Sequence, residues 1–342
     1  KLILKIKKFI IMNIQVTGAC GFIGSHTVER LVKKGFNVKA FTFYNSRGSN
    51  GWIDNLDKKI IKEINIIAGD IRDQDFLINN SKKIDSILHL AALIGIPYSY
   101  HAPKSYVETN VTGTYNVLNA AKINNISKTI ITSTSEVYGT AQSIPISESH
   151  SLNAQSPYAA SKIGSDQLAL SFYRSYKLPV TIIRPFNSFG PRQSTRAIIP
   201  TIITQILNNN GNIKLGNLSP TRDFTFVEDT ADSFIRSLKS NKIAGETINV
   251  GNNFEISIKD IIKIMREDFG YNLRVTLDKK RVREKKSEVY RLIASNTKAK
   301  KLLNWKPKYG GVKGFKLGLK KTIEWFQDPR NLKDYNSQSY SI

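Results

Sequence analysis

Tyr158 and Lys162 stand four residues apart, directly after Ser156-Pro157. A serine followed by a proline reads as a helix start: the hydroxyl caps, and the missing proline N–H is no loss at the first position. On that helix the phenol and the ammonium share a face. A free tyrosine titrates near ~10, and a cation within about 4 to 6 Å can draw it down by about 1 to 3 pH units. Tyr158 is therefore a candidate base for a substrate hydroxyl. Glu136, within Thr134-Ser135-Glu136-Val137-Tyr138-Gly139, is a second candidate, because proton abstraction beside a carbonyl needs a positioned group of moderate pKa. Taken singly, each has a plainer reading: a surface tyrosine next to a lysine, and a solvated loop glutamate or helix cap.

What joins them is the stretch Val16-Thr17-Gly18-Ala19-Cys20-Gly21-Phe22-Ile23-Gly24. An apolar run from Met12 precedes it, and Val28, Leu31 and Val32 follow at helical spacing, so it reads as strand, tight turn, helix. Gly18 permits the turn, Gly21 a close approach of backbone to phosphate, and Gly24 close packing of helix and strand, with a pyrophosphate resting on the helix N-terminus. Bound there, a nicotinamide cation would add to the pull on Tyr158. Further strands are expected at Asn37–Phe43, Asn65–Ile71, Ser86–Ala92, Lys128–Ser133 and Val180–Arg184, the last closed by Pro185, with a helix over Lys104–Lys122. Short apolar runs of this kind suit strands buried on both faces, and the loops beyond their carboxyl ends carry the chemistry in such sheets. The Thr134 loop is one of them. Strand two ends at Thr42, where dinucleotide folds usually place an acidic residue. Arg47 nearby would either meet a 2′-phosphate or be solvated, which leaves NAD and NADP both open.

The predicted fold is α/β: a Rossmann-type, doubly wound parallel sheet over 12–185 with a smaller, interleaved C-terminal substrate lobe over 186–330. Residues 1–11 are read as an N-terminal extension and 331–342 as a tail. Phe224–Val227 and Glu246–Val250 are expected to return to the main sheet. The chain has 342 residues, 40% hydrophobic and 23% charged, without an apolar run near the ~20 residues of a membrane span. The net charge of +24 would ordinarily raise nucleic-acid binding, but no such motif appears. Much of the excess lies between Arg274 and Glu324, with 17 Lys or Arg against 4 Asp or Glu, read as a solvated basic surface or a site for a phosphorylated ligand. The single cysteine, Cys20, excludes an intrachain disulfide framework, and with no signal peptide evident a cytoplasmic enzyme is expected.

In combination, G-A-C-G-F-I-G, L-A-A, S-T-S-E-V-Y-G, S-P-Y-A-A-S-K and R-P-F-N-S-F-G-P-R resemble the extended short-chain dehydrogenase/reductase family. The likeness is to its nucleotide-sugar 4,6-dehydratases, above all those of legionaminic acid biosynthesis, and runs from about Met12 to Pro307. It implies a bound NAD, with NADP open, and a nucleotide-sugar substrate, GDP- or UDP-N-acetylglucosamine. It implies Thr134, Glu136, Tyr158 and Lys162 as catalytic residues. Gly18, Gly21, Phe22, Ile23 and Gly24 would hold the pyrophosphate end of the cofactor, Arg47, Asp70 and Ile71 its adenosine, and Leu90, Ala91, Ala92, Asn110 and Pro185 would line it further along. Ser135, Asn187, Arg192, Arg222, Arg283 and Glu288 would meet the substrate; no metal is implied. Many relatives carry Asp where this chain has Ser135, whereas the GDP-mannose dehydratases also have Ser. Glu136 or a water would then serve as the acid for the leaving hydroxyl. The same likeness implies a homodimer through a four-helix interface. A nucleotide-uronic acid decarboxylase, a 4-epimerase and a non-catalytic nucleotide-binding scaffold are the alternatives.

Overall fold

The computed structural model describes residues 12–209, 211–333 and 335; the extension 1–11 and, of the tail, 334 and 336–342 lie outside them. The first half alternates strand and helix. β1 (Asn13–Thr17) leads through the glycine turn into α1 (Phe22–Lys33), followed by β2 (Asn37–Phe43), α2 (Lys58–Lys62), β3 (Ile64–Gly69), α3 (Gln74–Asn80) and β4 (Ser86–His89). After α4 (Ile96–His101), the expected helix forms as α5 (Pro103–Tyr106), a π-helical stretch at Val107–Thr112 and α6 (Gly113–Ile123). β5 (Lys128–Thr132), α7 (Pro157–Tyr176) and β6 (Val180–Pro185) complete this half. Ser156 caps α7 as expected, its hydroxyl accepting from Ala159 N at 3.1 Å, with Pro157 in the first turn.

The later elements are β7 (Asn187–Phe189), α8 (Ile198–Asn208), β8 (Asn212–Leu215), β9 (Thr221–Arg222), β10 (Phe224–Phe226), α9 (Val227–Lys239), β11 (Thr247–Val250), β12 (Ile256–Ser257), α10 (Ile258–Glu267), β13 (Arg274–Leu277), α11 (Thr297–Leu303), α12 (Gly311–Gln327) and α13 (Pro329–Leu332). The main sheet has seven strands in the order β11-β6-β5-β4-β1-β2-β3, every pairing parallel. This is the doubly wound α/β sheet read from the sequence. Neighbouring residues of a strand point to opposite faces. Leu88, Ile130 and Ile183 accordingly pack with α1, α9 and α11, whereas Ile87, Ile131 and Ile182 pack with α3, α6 and α7. A third cluster around Phe189, Ile202, Phe224, Met265, Phe315 and Phe326 is the core of the smaller lobe.

Of the two segments expected to rejoin the main sheet, β11 does so beside β6. Phe224–Val227 does not: β10 pairs with β7 in a separate two-stranded sheet, and Val227 begins α9. Phe224 and Phe226 are claimed by the aromatic core of the lobe, against Phe189 and Phe315, which a strand buried in the main sheet would not reach.

Candidate active site

The glycine turn is built as its residue types demand. Gly18 has φ +68°, and a Cβ there would stand 2.6 Å from Ala91 N, so the β1 and β4 ends touch backbone to backbone. Thr17 secures that contact, its carbonyl accepting from Leu90 N at 3.1 Å and its hydroxyl from Ala91 N at 3.3 Å. A Cβ on Gly24 would lie 2.1 Å from the Gly18 carbonyl oxygen, so α1 presses on the turn itself. Gly21 is the N-cap of α1 and brings no side chain, and no acidic residue occupies the first turn. The N–H groups around Phe22, Ile23 and Gly24 are thus left for an anion, and the cradle fits the pyrophosphate of a dinucleotide.

Around it the expected cofactor residues are spread along the strand ends. Leu90, Ala91 and Ala92 follow β4, and Pro185 closes β6. Asp70 lies just past β3, its carboxylate held by Arg72 Nη2 at 2.6 Å, which draws its pKa below the ordinary range. Ile71 is buried against Gly113. Arg47 sits exposed in the loop after β2. Asn110 works as a strut: it exchanges hydrogen bonds with the Leu93 backbone at 2.8 and 2.9 Å and donates to Ser161 of α7 at 2.9 Å. His89 was not among the sequence candidates. Its ring bridges Thr17 Oγ1 at 2.8 Å and Thr114 Oγ1 at 3.1 Å, and burial, with Lys162 nearby, pushes its pKa down to about 3, leaving it neutral.

Thr134, Glu136, Tyr158 and Lys162 are brought together. Thr134 caps a single 3-10 turn, Ser135–Tyr138, its hydroxyl accepting from Glu136 N at 3.2 Å, and Ser135 and Glu136 are buried with it. Lys162, 3% exposed, donates from Nζ to Thr132 O at 2.6 Å, and burial lowers its pKa to about 8 although the Asp166 carboxylate opposes this. Burial also pushes the Tyr158 phenol up; a hydrogen bond with Thr134 works against that, while the Glu136 charge adds to it. The expectation that Lys162 draws the phenol down is not met in this structure, because its ammonium faces the Thr132 carbonyl and desolvation governs the phenol. Asp166, also missed by sequence reading, lies one turn further along α7. Its Oδ2 accepts from Ser133 Oγ at 2.9 Å, Arg184 Nε at 3.0 Å and Arg184 Nη2 at 2.9 Å, beneath the site.

Arg222, whose pKa burial lowers, lies within range of the Glu136 charge, which raises it. Glu288 Oε1 joins it to Arg283, 3.4 Å from Arg222 Nη2 and 3.8 Å from Arg283 Nη1. Asn187 Oδ1 is buried without a hydrogen-bond partner. The strip carrying Arg283 and Glu288 is tied down by Gln155, which donates to Lys286 O and Glu288 O, and by Ser287, which meets Tyr100 OH at 2.6 Å. Arg192 is not brought to this cluster. Its guanidinium pairs with Glu29 of α1 at 2.7 Å and reaches Ser25 at 3.4 Å, on the cofactor side. Among the described residues no group of three or more His, Cys, Asp or Glu is placed to hold a metal ion.

The GDP-mannose 4,6 dehydratase family matches residues 15–317. A dTDP-D-glucose 4,6-dehydratase of Dictyostelium discoideum is 36% identical over 74% of this chain and 61% of its own length, so the match spans less than two thirds of that relative. A putative UDP-glucose 4-epimerase of Methanocaldococcus jannaschii is 30% identical over 92% of this chain and 98% of its own. Among solved structures, the dTDP-glucose 4,6-dehydratase of Streptomyces venezuelae, crystallised with NAD, superposes with a TM-score of 0.81 at 29% identity, covering 94% of this chain and 98% of that one. The glycine cradle, the Thr134-Glu136 loop and the Tyr158-Lys162 helix thus occur in a chain that belongs to the extended short-chain dehydrogenase/reductase family, among its NAD-dependent sugar-nucleotide 4,6-dehydratases.

Proposed function

We propose that this protein converts an N-acetylglucosamine nucleotide, GDP-linked in preference to UDP-linked, into the 4-keto-6-deoxy sugar nucleotide. The observation that carries the reading is the place of Glu136: a buried carboxylate near enough for its charge to act on both the Tyr158 phenol and Arg222. A sugar whose diphosphate is held by Arg222 and Arg283, where guanidinium forks suit paired phosphate oxygens, would extend toward Tyr158 past Glu136. Tyr158 takes the C4 hydroxyl proton, with Thr134 orienting the phenol; because Lys162 is turned to the Thr132 carbonyl, the positive charge that lowers the phenol pKa would come from a bound nicotinamide cation. NAD held by the cradle of Gly18, Gly21 and Gly24 would supply a hydride acceptor for C4 and a donor for C6, which would make the cycle redox-neutral. The C4 ketone acidifies C5, and Glu136 removes that proton while hydroxide leaves C6 as water, its proton coming from Glu136 or a water because Ser135 cannot supply it. A proton then returns to C5.

A 4-epimerase needs no base at C5, so a buried Glu136 favours elimination over the epimerase reading that some relatives raise. The preference for GDP is supported by Thr134-Ser135-Glu136 and by the GDP-mannose dehydratase match. Incubation in deuterated water with a panel of GDP-, UDP- and dTDP-sugars tests the reading. The expected product is lighter by one water and carries deuterium at C5. A product of unchanged mass and inverted C4, or loss of carbon dioxide from a uronic acid, would establish the epimerase or decarboxylase instead.

We further place the protein in the cytoplasm, as a homodimer. No helix among the described residues is long and apolar enough to cross a membrane. Val107, Tyr115, Tyr173 and Tyr176 are exposed on the helical run from Pro103 to Ile123 and on α7, which supports an isologous contact of these helices with their copies.

A further inference from the structure

The cofactor cradle has an outer wall that the chemistry does not explain. The 3-10 turn Gly51–Ile53 lies on the glycine turn: Trp52 N donates to Cys20 O at 3.1 Å, and a Cβ on Gly51, at φ +57°, would stand 2.8 Å from the same oxygen. The loop that delivers this turn follows Phe43 at the end of β2, the strand end where dinucleotide folds usually place an acidic residue and this chain has Thr42. It is closed by polar bonds of its own, Asn50 N to Asp54 Oδ2 at 2.7 Å and Asn50 Nδ2 to Asp54 Oδ1 at 3.0 Å. These bonds shape the loop, but they do not hold it against the cradle.

The Trp52 side chain supplies a contact that does, and it comes from the other lobe. Its indole meets Trp325 of α12 edge-on at 5.5 Å and stacks on Tyr335 at 6.0 Å. Trp325 and Tyr335 each pack at 4.9 Å on Phe326, which is fully buried in the core of the smaller lobe. A continuous line of rings therefore runs from the lobe core to the backbone of the glycine turn.

We propose that Trp52, Trp325 and Tyr335 form an aromatic clasp through which the C-terminal end of the smaller lobe presses the Gly51–Ile53 turn onto the glycine turn and sets how long NAD stays bound. The proposal rests on the assignment of the glycine cradle to NAD. None of the three rings belongs to the Tyr158–Glu136 centre, so they act as positioning residues on retention and leave the chemical steps alone. A dehydratase that returns its hydride within one cycle has use for such a device, since a cofactor lost mid-cycle strands an oxidised sugar. Edge-on and stacked ring pairs of this kind are strong enough that losing them would speed release about tenfold.

The test uses the holoenzyme, passed into NAD-free buffer and sampled over time for retained NAD by denaturation and chromatography. Trp325→Leu and Trp52→Leu should each lose NAD about tenfold faster than wild type, and the double variant no faster than the quicker single one, because both break one clasp. Trp52→Phe, which keeps a ring, should restore most of the retention, and Trp325→Leu should keep kcat within about twofold at saturating NAD. Wild-type release rates in Trp325→Leu, or singles whose effects multiply in the double, overturn the clasp while the NAD assignment stands. Wild-type protein that binds neither NAD nor NADP overturns that assignment and the clasp with it. If the leucine variants are poorly folded, Tyr335→Ala, which removes the third ring, decides in the same release assay: NAD lost several-fold faster than from wild type supports the clasp, and a wild-type rate refutes it.

Discussion

Replacing Lys162 by Met should abolish turnover and at the same time stabilise the fold at neutral pH. The lysine is buried, and burial lowers its pKa from 10.5 to about 8, so at pH 7 the fold holds a cation that solvent would hold better. That gap corresponds to about 3 kcal/mol. Methionine has similar reach without the charge, and removing the bond to Thr132 O gives back about 1 kcal/mol, so a net gain of about 2 kcal/mol is expected. The pH dependence has a definite sign. The native pKa is the depressed one, so between about pH 8 and 10.5 the unfolded chain binds the extra proton and wild-type stability rises with pH. The advantage of Lys162→Met should therefore be full below pH 8, shrink through that window and be gone above 10.5. Urea denaturation of both proteins at closely spaced pH values measures it, with the difference cancelling titrations they share. A variant less stable at pH 7, or a gap constant across the window, would refute the view that Lys162 is a desolvated cation kept for chemistry.

His26 and His89 have pKa values pushed down from 6.5 to about 4 and about 3, chiefly by burial, so stability should fall as pH drops from 6.5 toward 3. Asp223, pushed up to about 7 by burial against the backbone N–H groups that hold it, runs the other way and offsets part of the loss; His89→Gln should flatten the acid limb of a denaturation series. Tyr158→Phe should lose all chemistry, whereas Glu136→Gln should still exchange hydride at C4 but fail to eliminate water, seen as reduced cofactor without dehydrated product; wild-type product formation by Glu136→Gln removes its role as C5 base. Light scattering at micromolar concentration should return a dimer mass, and a monomer would remove the four-helix contact.

Features that depend on short spacings were legible in the residues alone. Three glycines between a strand and a helix, a Ser-Pro helix start and a four-residue interval each impose local geometry, and the cradle, the α7 cap and the Tyr158–Lys162 face follow from it. Thr134 and Glu136 were readable because loops beyond parallel strands gather at one edge of the sheet. What depends on contacts between distant segments was not legible. Nothing in Phe224–Phe226 says that an aromatic lobe core will take it instead of the main sheet, and nothing in Arg192 says that Glu29 will claim it. His89 and Asp166 carry no motif; only burial between neighbouring elements makes one a neutral bridge and the other the anchor of Arg184. The upward push on Tyr158 has the same origin, since desolvation is set by everything packed around a group and not by the lysine four residues away. Trp52, Trp325 and Tyr335 meet only because two lobes dock, a relation that periodicity along the chain cannot encode.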